Sequence, residues 1–173
     1  MKKPELLAPA GDLEKLKIAL LYGADAVFIG GKQFSLRARA SNFDLKDIED
    51  AVQFAHSLNK KIYVTTNIIP HSEDLDGLIE YLKALEKIKV DAIIAASSSI
   101  INIARKHTNL EIHLSTQQSV TNFEAVNFWN ERGVERVVLA RELDLDELRL
   151  LRNNTNTDLE VFIHGGMRVS YSG

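Results

Sequence analysis

The sequence contains no cysteine. That excludes disulfides, a thiolate nucleophile and cysteine-held zinc or iron–sulfur sites. It also lacks an excess of positive charge. Lys and Arg number 21 against 24 Asp and Glu, a net charge of -3, so there is no basic footprint of the kind nucleic-acid binders carry. No apolar run reaches membrane-spanning length, and Met1-Lys2-Lys3-Pro4 leads straight into a short apolar strand rather than a signal peptide. The expectation is a cytoplasmic location with no membrane partner. Low-complexity segments and interdomain linkers are missing too. What remains is 173 residues, 45% hydrophobic and 26% charged, enough for a single well-buried domain over 1–173.

Within it, short apolar runs alternate with amphipathic stretches. LLAPAG (6–11), AVFIGG (26–31), KIYVTTN (61–67), AIIAAS (92–97), EIHLST (111–116), RVVLA (136–140) and LEVFIHG (159–165) read as strands. Caps punctuate the helices between them: Asp12 and Asp44, a Thr121–Glu124 capping box before a helix ended by Gly133, and a second box from Asp144 to Glu147. A weak repeat recurs where helices meet strands. Gly23-Ala24-Asp25, Lys89-Val90-Asp91 and Gly133-Val134-Glu135 each place an acidic turn before a β-branched strand. Such alternation means βαβ units and a parallel sheet.

Strand parity then selects the architecture. In KIYVTTN, Ile62 and Val64 oppose Lys61, Tyr63, Thr65 and Asn67. In EIHLSTQ, Ile112 and Leu114 oppose His113, Ser115 and Gln117, and in EVFIH, Val161 and Ile163 oppose Glu160, Phe162 and His164. An open sheet with helices on both faces would be apolar on both sides. One polar face fits the upper interior of a TIM-like (β/α) barrel. About seven parallel strands are present where a barrel needs eight. The expectation is therefore an incomplete barrel, truncated after strand seven, completed by further chain, a second copy or a partner.

In such a barrel function sits at the C-terminal ends of the strands. The Gly30–Asn42 loop is long and carries Arg37 and Arg39, which could grip phosphate or carboxylate. Neither G-x-G-x-x-G nor G-x-x-x-x-G-K-[ST] occurs. Asn67, Gln117, Arg141 and Glu142 complete the expected substrate-binding set, and His164, beside two glycines at a strand end, is the catalytic candidate. His113 reads as a packed strand residue, and His56, His71 and His107 as solvated. Ser97-Ser98-Ser99 reads as a helix cap. Glu5 and Glu160 read as structural partners of Lys61 or Arg136. No Ser–His–Asp arrangement is visible, and His113 with His164 lack a third metal ligand, so no metal site is expected.

The stretches ELLAPAGDLEKLKIALLYGADAVFIGG, SLRARASNF, KIYVTTN, EIHLSTQ, VVLARELDL and EVFIHGGM together resemble the collagenase-like peptidase family U32, in order and across essentially the whole chain. The resemblance implies a TIM-like barrel and a choice of activities. Members were first described as proteases or collagenases. Several are tied to RNA hydroxylation, of tRNA wobble uridine or of a cytidine in large-subunit rRNA, with prephenate as co-substrate and an iron–sulfur cluster. The resemblance thus implies tRNA or rRNA as partners. The family signature, roughly E-x-F-x-x-G-[SA]-[LIVM]-C-x-x-x-x-G-x-C, is matched by Glu160, Phe162, Gly165, Met167 and Gly173. Gly166 replaces the Ser or Ala, and Arg168 stands where the first cysteine belongs. An arginine is a permanent cation with no lone pair to give. This chain is therefore expected to carry no cofactor and to be inactive alone. The alternatives are a peptidase and a non-catalytic binding half-barrel.

Overall fold

A computed structural model describes residues 3–36 and 43–165. Strands and helices alternate as the sequence predicts: β1 (Leu7–Pro9), α1 (Leu13–Leu21), β2 (Ala26–Gly30), α2 (Leu45–Ser57), β3 (Lys61–Thr66), α3 (Leu78–Ile88), β4 (Ala92–Ala95), α4 (Ser98–His107), β5 (Ile112–Leu114), α5 (Phe123–Asn130), β6 (Arg136–Val138), α6 (Leu145–Asn154) and β7 (Asp158–Glu160). Short 3₁₀ turns at Ser72–Leu75 and Thr116–Gln118 precede α3 and α5. The chain clusters into two compact units, Met1–Leu110 and Glu111–Gly173. In the first, β1, β2, β3 and β4 pair side by side, all parallel. In the second, β5, β6 and β7 do the same.

Side-chain caps start most helices. Asp12 accepts from Lys15 N at 2.8 Å, and Ser97 caps α4 through Ser99 N. Full capping boxes stand at Asp44–Asp47 and Asp144–Glu147. The expected Thr121–Glu124 box does not form. Asn122 is the cap, accepting from Ala125 N at 2.9 Å. The helix begins one residue later than the motif implies, so Glu124 is one position short of reaching back to the cap amide.

The registers put alternate residues on opposite faces. In the first unit Ala26, Tyr63, Ala92 and Ile94 cluster on one face, with Leu7 and Phe28 against them. On the other, Val27, Ile29, Ile62, Val64 and Ile93 are fully buried, and the helices supply Leu16, Ile48, Leu78, Leu82 and Leu85 to the core. The polar residues expected on the first face are there and are paired: Tyr63 donates to Glu5 Oε1 at 2.7 Å, and Lys61 Nζ lies 3.3 Å from Glu5 Oε2. In the second unit Arg136 sits 3.7 Å from both Asp158 and Glu160, as expected for Glu160.

The three-residue repeat turns out to be one structural device used three times. Gly23, Lys89 and Gly133 all adopt left-handed backbone, at φ 118°, 68° and 81°. The following residue (Ala24, Val90, Val134) is buried and its amide bonds back five residues, to Ala19, Leu85 and Trp129 respectively. Then the acid reaches sideways. The carboxylates of Asp25, Asp91 and Glu135 accept the backbone amides of Leu6, Ile62 and Ile112 at 3.0, 2.8 and 2.9 Å. Their own amides donate to the carbonyls of the same residues. Each acid thus staples the strand it opens to the start of the preceding one.

Strand seven departs from expectation. The sequence pattern places it at 159–165, but it ends at Glu160. The ladder stops because its partner turns away: Leu139 N still donates to Glu160 O, but Ala140 N donates to Val120 O instead. Val161, Phe162 and Ile163 therefore lie beyond the strand, 44, 42 and 82% exposed.

Two outcomes follow from the staples. The Asp25 carboxyl, held first by the Leu6 amide and then by Lys60, titrates at about 2 instead of 3.8. Its contribution is complete above about pH 4 and is lost as pH falls towards 2. Asp25→Ala should cost about 1–3 kcal/mol at neutral pH and flatten that acid limb, measured by denaturant unfolding across pH. Lys89→Gly should stabilise by about 1 kcal/mol, because only the side-chain-bearing residue pays for left-handed backbone.

Candidate binding site

The β2–α2 connection is gripped where it leaves the first unit's sheet. Gly31 bridges to Phe43 at the far end of the loop, and Lys32 N donates to Phe43 O at 3.0 Å. Ser35, buried, shares a 2.7 Å hydrogen bond with Thr65 Oγ1, which also donates to Ile29 O at 3.3 Å. Leu36 N donates to Asn67 Oδ1 at 3.2 Å, and Ile68 N to Phe34 O at 3.3 Å. Asn67, a member of the expected substrate-binding set, here spends its carbonyl on the loop. From the outer side, the Tyr81 ring of α3 packs 5.3 Å from the Phe34 ring. Its hydroxyl is buried beneath Gly31, and burial pushes its pKa up, so it stays protonated. Arg37 and Arg39 follow directly in sequence and lie outside the described residues.

In the second unit the strand ends carry Ser115, Gln117, Arg141 and Glu142. Ser115 Oγ donates to Gln117 Oε1 at 3.1 Å, inside the 3₁₀ turn whose Thr116 hydroxyl bonds Leu139 O. Arg141, half-buried in the turn after β6, stacks its guanidinium 3.8 Å from the centre of the Phe162 ring. A stacked guanidinium loses rotamer freedom, which suits it to holding an anion in a fixed place. Glu142 is exposed. So is His164, which lies past the end of β7 rather than on it. His113 is fully buried, 2.8 Å from Glu111 Oε1, as its mid-strand position implied. His56, His71 and His107 are all exposed as expected, and His56 also pairs with Asp91 at 3.0 Å. Gly165 is the last described residue of the signature; Gly166, Met167, Arg168 and Gly173 lie outside the described residues.

Sequence reasoning nominated Arg141 and Phe162 separately and missed that they form one unit. Nothing in spacing joins residues 21 positions apart. It gave no site role to Ser35, Thr65 or Tyr81, although parity put Thr65 on the polar face. Tyr81 carried no signal, since one aromatic on an amphipathic helix reads as core.

With this geometry in place, comparison with known proteins is decisive. The model of peptidase family U32 matches residues 11–173. The chain belongs to that family. It is 55% identical over 173 residues to the Bacillus subtilis tRNA hydroxylation protein P1, covering 99% of this chain and 41% of that protein. It is 41% identical to the Escherichia coli tRNA hydroxylation protein P, covering 100% of this chain and 39% of that one. It is also 41% identical to the Escherichia coli 23S rRNA 5-hydroxycytidine C2501 synthase, covering 98% and 25%. The U32 chain thus spans about two fifths of the first two relatives' length. Among solved structures, the U32 peptidase Mk0906 superposes with a TM-score of 0.72 at 12% identity, over 93% of this chain and 70% of that one. Tryptophan synthase from Pyrococcus furiosus gives 0.63 at 21%, over 94% and 79%. These likenesses establish the fold: seven parallel strands of a TIM-like (β/α) barrel.

The iron–sulfur cluster implied by the family resemblance does not fit the residues of this U32 chain. It has no thiolate to offer, and among the described residues no group of three His, Asp or Glu could hold a metal. No helix among them is long and apolar enough to cross a membrane.

The Arg141–Phe162 stack is open to measurement. A double-mutant cycle of Arg141→Ala with Phe162→Ala should return a coupling of about 0.5–1 kcal/mol; strictly additive effects would mean the stack contributes nothing in solution.

Proposed function

We propose that this U32 chain is the substrate-binding barrel part of an RNA-hydroxylation protein and does not carry out the oxidation alone. The observation that carries the reading is 55% identity to a tRNA hydroxylation protein across nearly the whole chain. The strand ends supply chemistry that suits an anionic partner, RNA phosphate or a small dicarboxylate such as prephenate. In the first unit the candidates are Asn67 with Arg37 and Arg39; in the second they are Gln117, Arg141 and Glu142, with exposed His164 as the catalytic candidate. Arg141 would offer its positive charge to the anion, its plane held by Phe162. Oxidation would need redox groups from elsewhere, because this chain has no cysteine to hold them.

The peptidase alternative gains little. The hydroxyls described above bond one another or backbone, Ser35 with Thr65 and Ser97 with Ser99, and the histidines His56 and His113 face carboxylates. None of these pairs is a nucleophile with its base.

Two measurements test the reading. Expressed in a strain lacking its hydroxylase relatives, the chain should leave tRNA 5-hydroxyuridine at background; restored modification would overturn the claim of inactivity. Fluorescence anisotropy with unmodified tRNA should give binding that weakens steeply with salt. Arg141→Ala should reduce the log–log salt slope by about 1. A wild-type chain that binds no tRNA at low salt would sink the RNA reading.

A further inference from the structure

Tyr81 is an oddity. It lies on α3 and is only 5% exposed, and its hydroxyl has no hydrogen-bond partner among the described residues. Burying a hydroxyl unpaired costs stability, and a phenylalanine would fill the same space without that cost. The hydroxyl does meet something: a Cβ built on Gly31 would lie 2.3 Å from it, closer than atoms can approach. So Gly31 is a glycine because Tyr81 stands beneath it. Next in line is Phe34, whose backbone is left-handed at φ 56° although it carries a side chain. That conformation persists only where neighbours impose it. The neighbours are the Tyr81 ring against the Phe34 ring and, on the inner side, Ile68 N on Phe34 O, Thr65 on Ser35 and Asn67 on Leu36 N.

We propose that Tyr81 is a positioning residue for the β2–α2 loop: its hydroxyl wedged under Gly31 and its ring against Phe34 fix the kink that presents Ser35 and Leu36 at the ends of β2 and β3. The functional half of this inference rests on the reading that these strand ends bind an anionic ligand. Tyr81 touches no ligand itself; it acts through the loop stem. The device has two parts, a hydroxyl on one element and, on the other, a glycine lacking the methyl that this hydroxyl would exclude.

That exclusion supplies the test. Three variants of the full chain are compared with wild type: Tyr81→Phe, Gly31→Ala and the double variant. Melting temperature, backbone amide shifts of residues 34–36, and affinity for unmodified tRNA are read for each. Tyr81→Phe should keep or raise the melting temperature, move the three amide shifts, and weaken tRNA binding roughly three- to tenfold through lost preorganisation. Gly31→Ala should lower the melting temperature and displace the shifts further. Adding Tyr81→Phe should recover most of that loss by making room for the methyl. A Tyr81→Phe chain with a lowered melting temperature and unmoved shifts would reduce Tyr81 to a packing residue and overturn the proposal. So would a double variant no better than Gly31→Ala. If wild type binds no tRNA, the anionic-ligand reading fails, while the shifts and the rescue still decide whether Tyr81 sets the stem.

Discussion

The fold depends on a carboxylate taking a backbone amide from the neighbouring strand. Parallel strands cannot be joined by a tight hairpin, so their register must be fixed by something other than the turn between them. Here Asp25, Asp91 and Glu135 fix it at the moment each strand begins. The left-handed residue turns the chain out of the helix, the buried apolar residue anchors the turn, and the acid locks the incoming strand against its neighbour. The connection into β3 is built differently. Asn59 is left-handed and Lys60 N bonds back to Ala55 O, but Lys60 then extends its ammonium to Asp25, 3.0 Å away. Asp25 thereby ties together the starts of three successive strands.

With the strand starts held in this way, the opposite ends are free to carry irregular structure. The first unit uses that freedom for a loop stem clamped on both faces, by Thr65 and Asn67 inside and Tyr81 outside. The second uses it for a cation stacked on an aromatic ring. Both place polar chemistry at the same ends of the strands, where (β/α) barrels carry their sites. The second arrangement also gives Phe162 of the family signature a physical task. It sits past the end of β7, where no ladder confines it, and its ring is available to Arg141 because the strand has stopped at Glu160.

Much of this was legible beforehand, for identifiable reasons. The seven strands and their polarity could be read because burial on one face enforces a period of two. The acidic turns could be read as a repeat because the same three-residue geometry recurs. Their hydrogen bonds could not, since an acid before a strand looks like any solvated turn residue. The Thr121 box failed because the four-residue motif leaves the helix start ambiguous by one position, and Asn122 is the better cap. LEVFIHG was too long a strand because apolar alternation continues to Ile163 although the partner's ladder ends at Val138. Tyr81 and Gly31 were invisible as a pair, 50 residues apart, because steric exclusion leaves no trace in composition.

The staples have a consequence for how such a chain can change over time. A register held by side-chain pairs drifts when either partner is replaced. A register held by one carboxylate and a main-chain amide does not, because every residue except proline supplies the amide. The strands can therefore exchange nearly all their side chains while their alignment stays put, provided one acid at each turn is retained. That is a means by which an architecture can outlast its sequence, and it suits a fold shared at a TM-score of 0.72 with a structure only 12% identical.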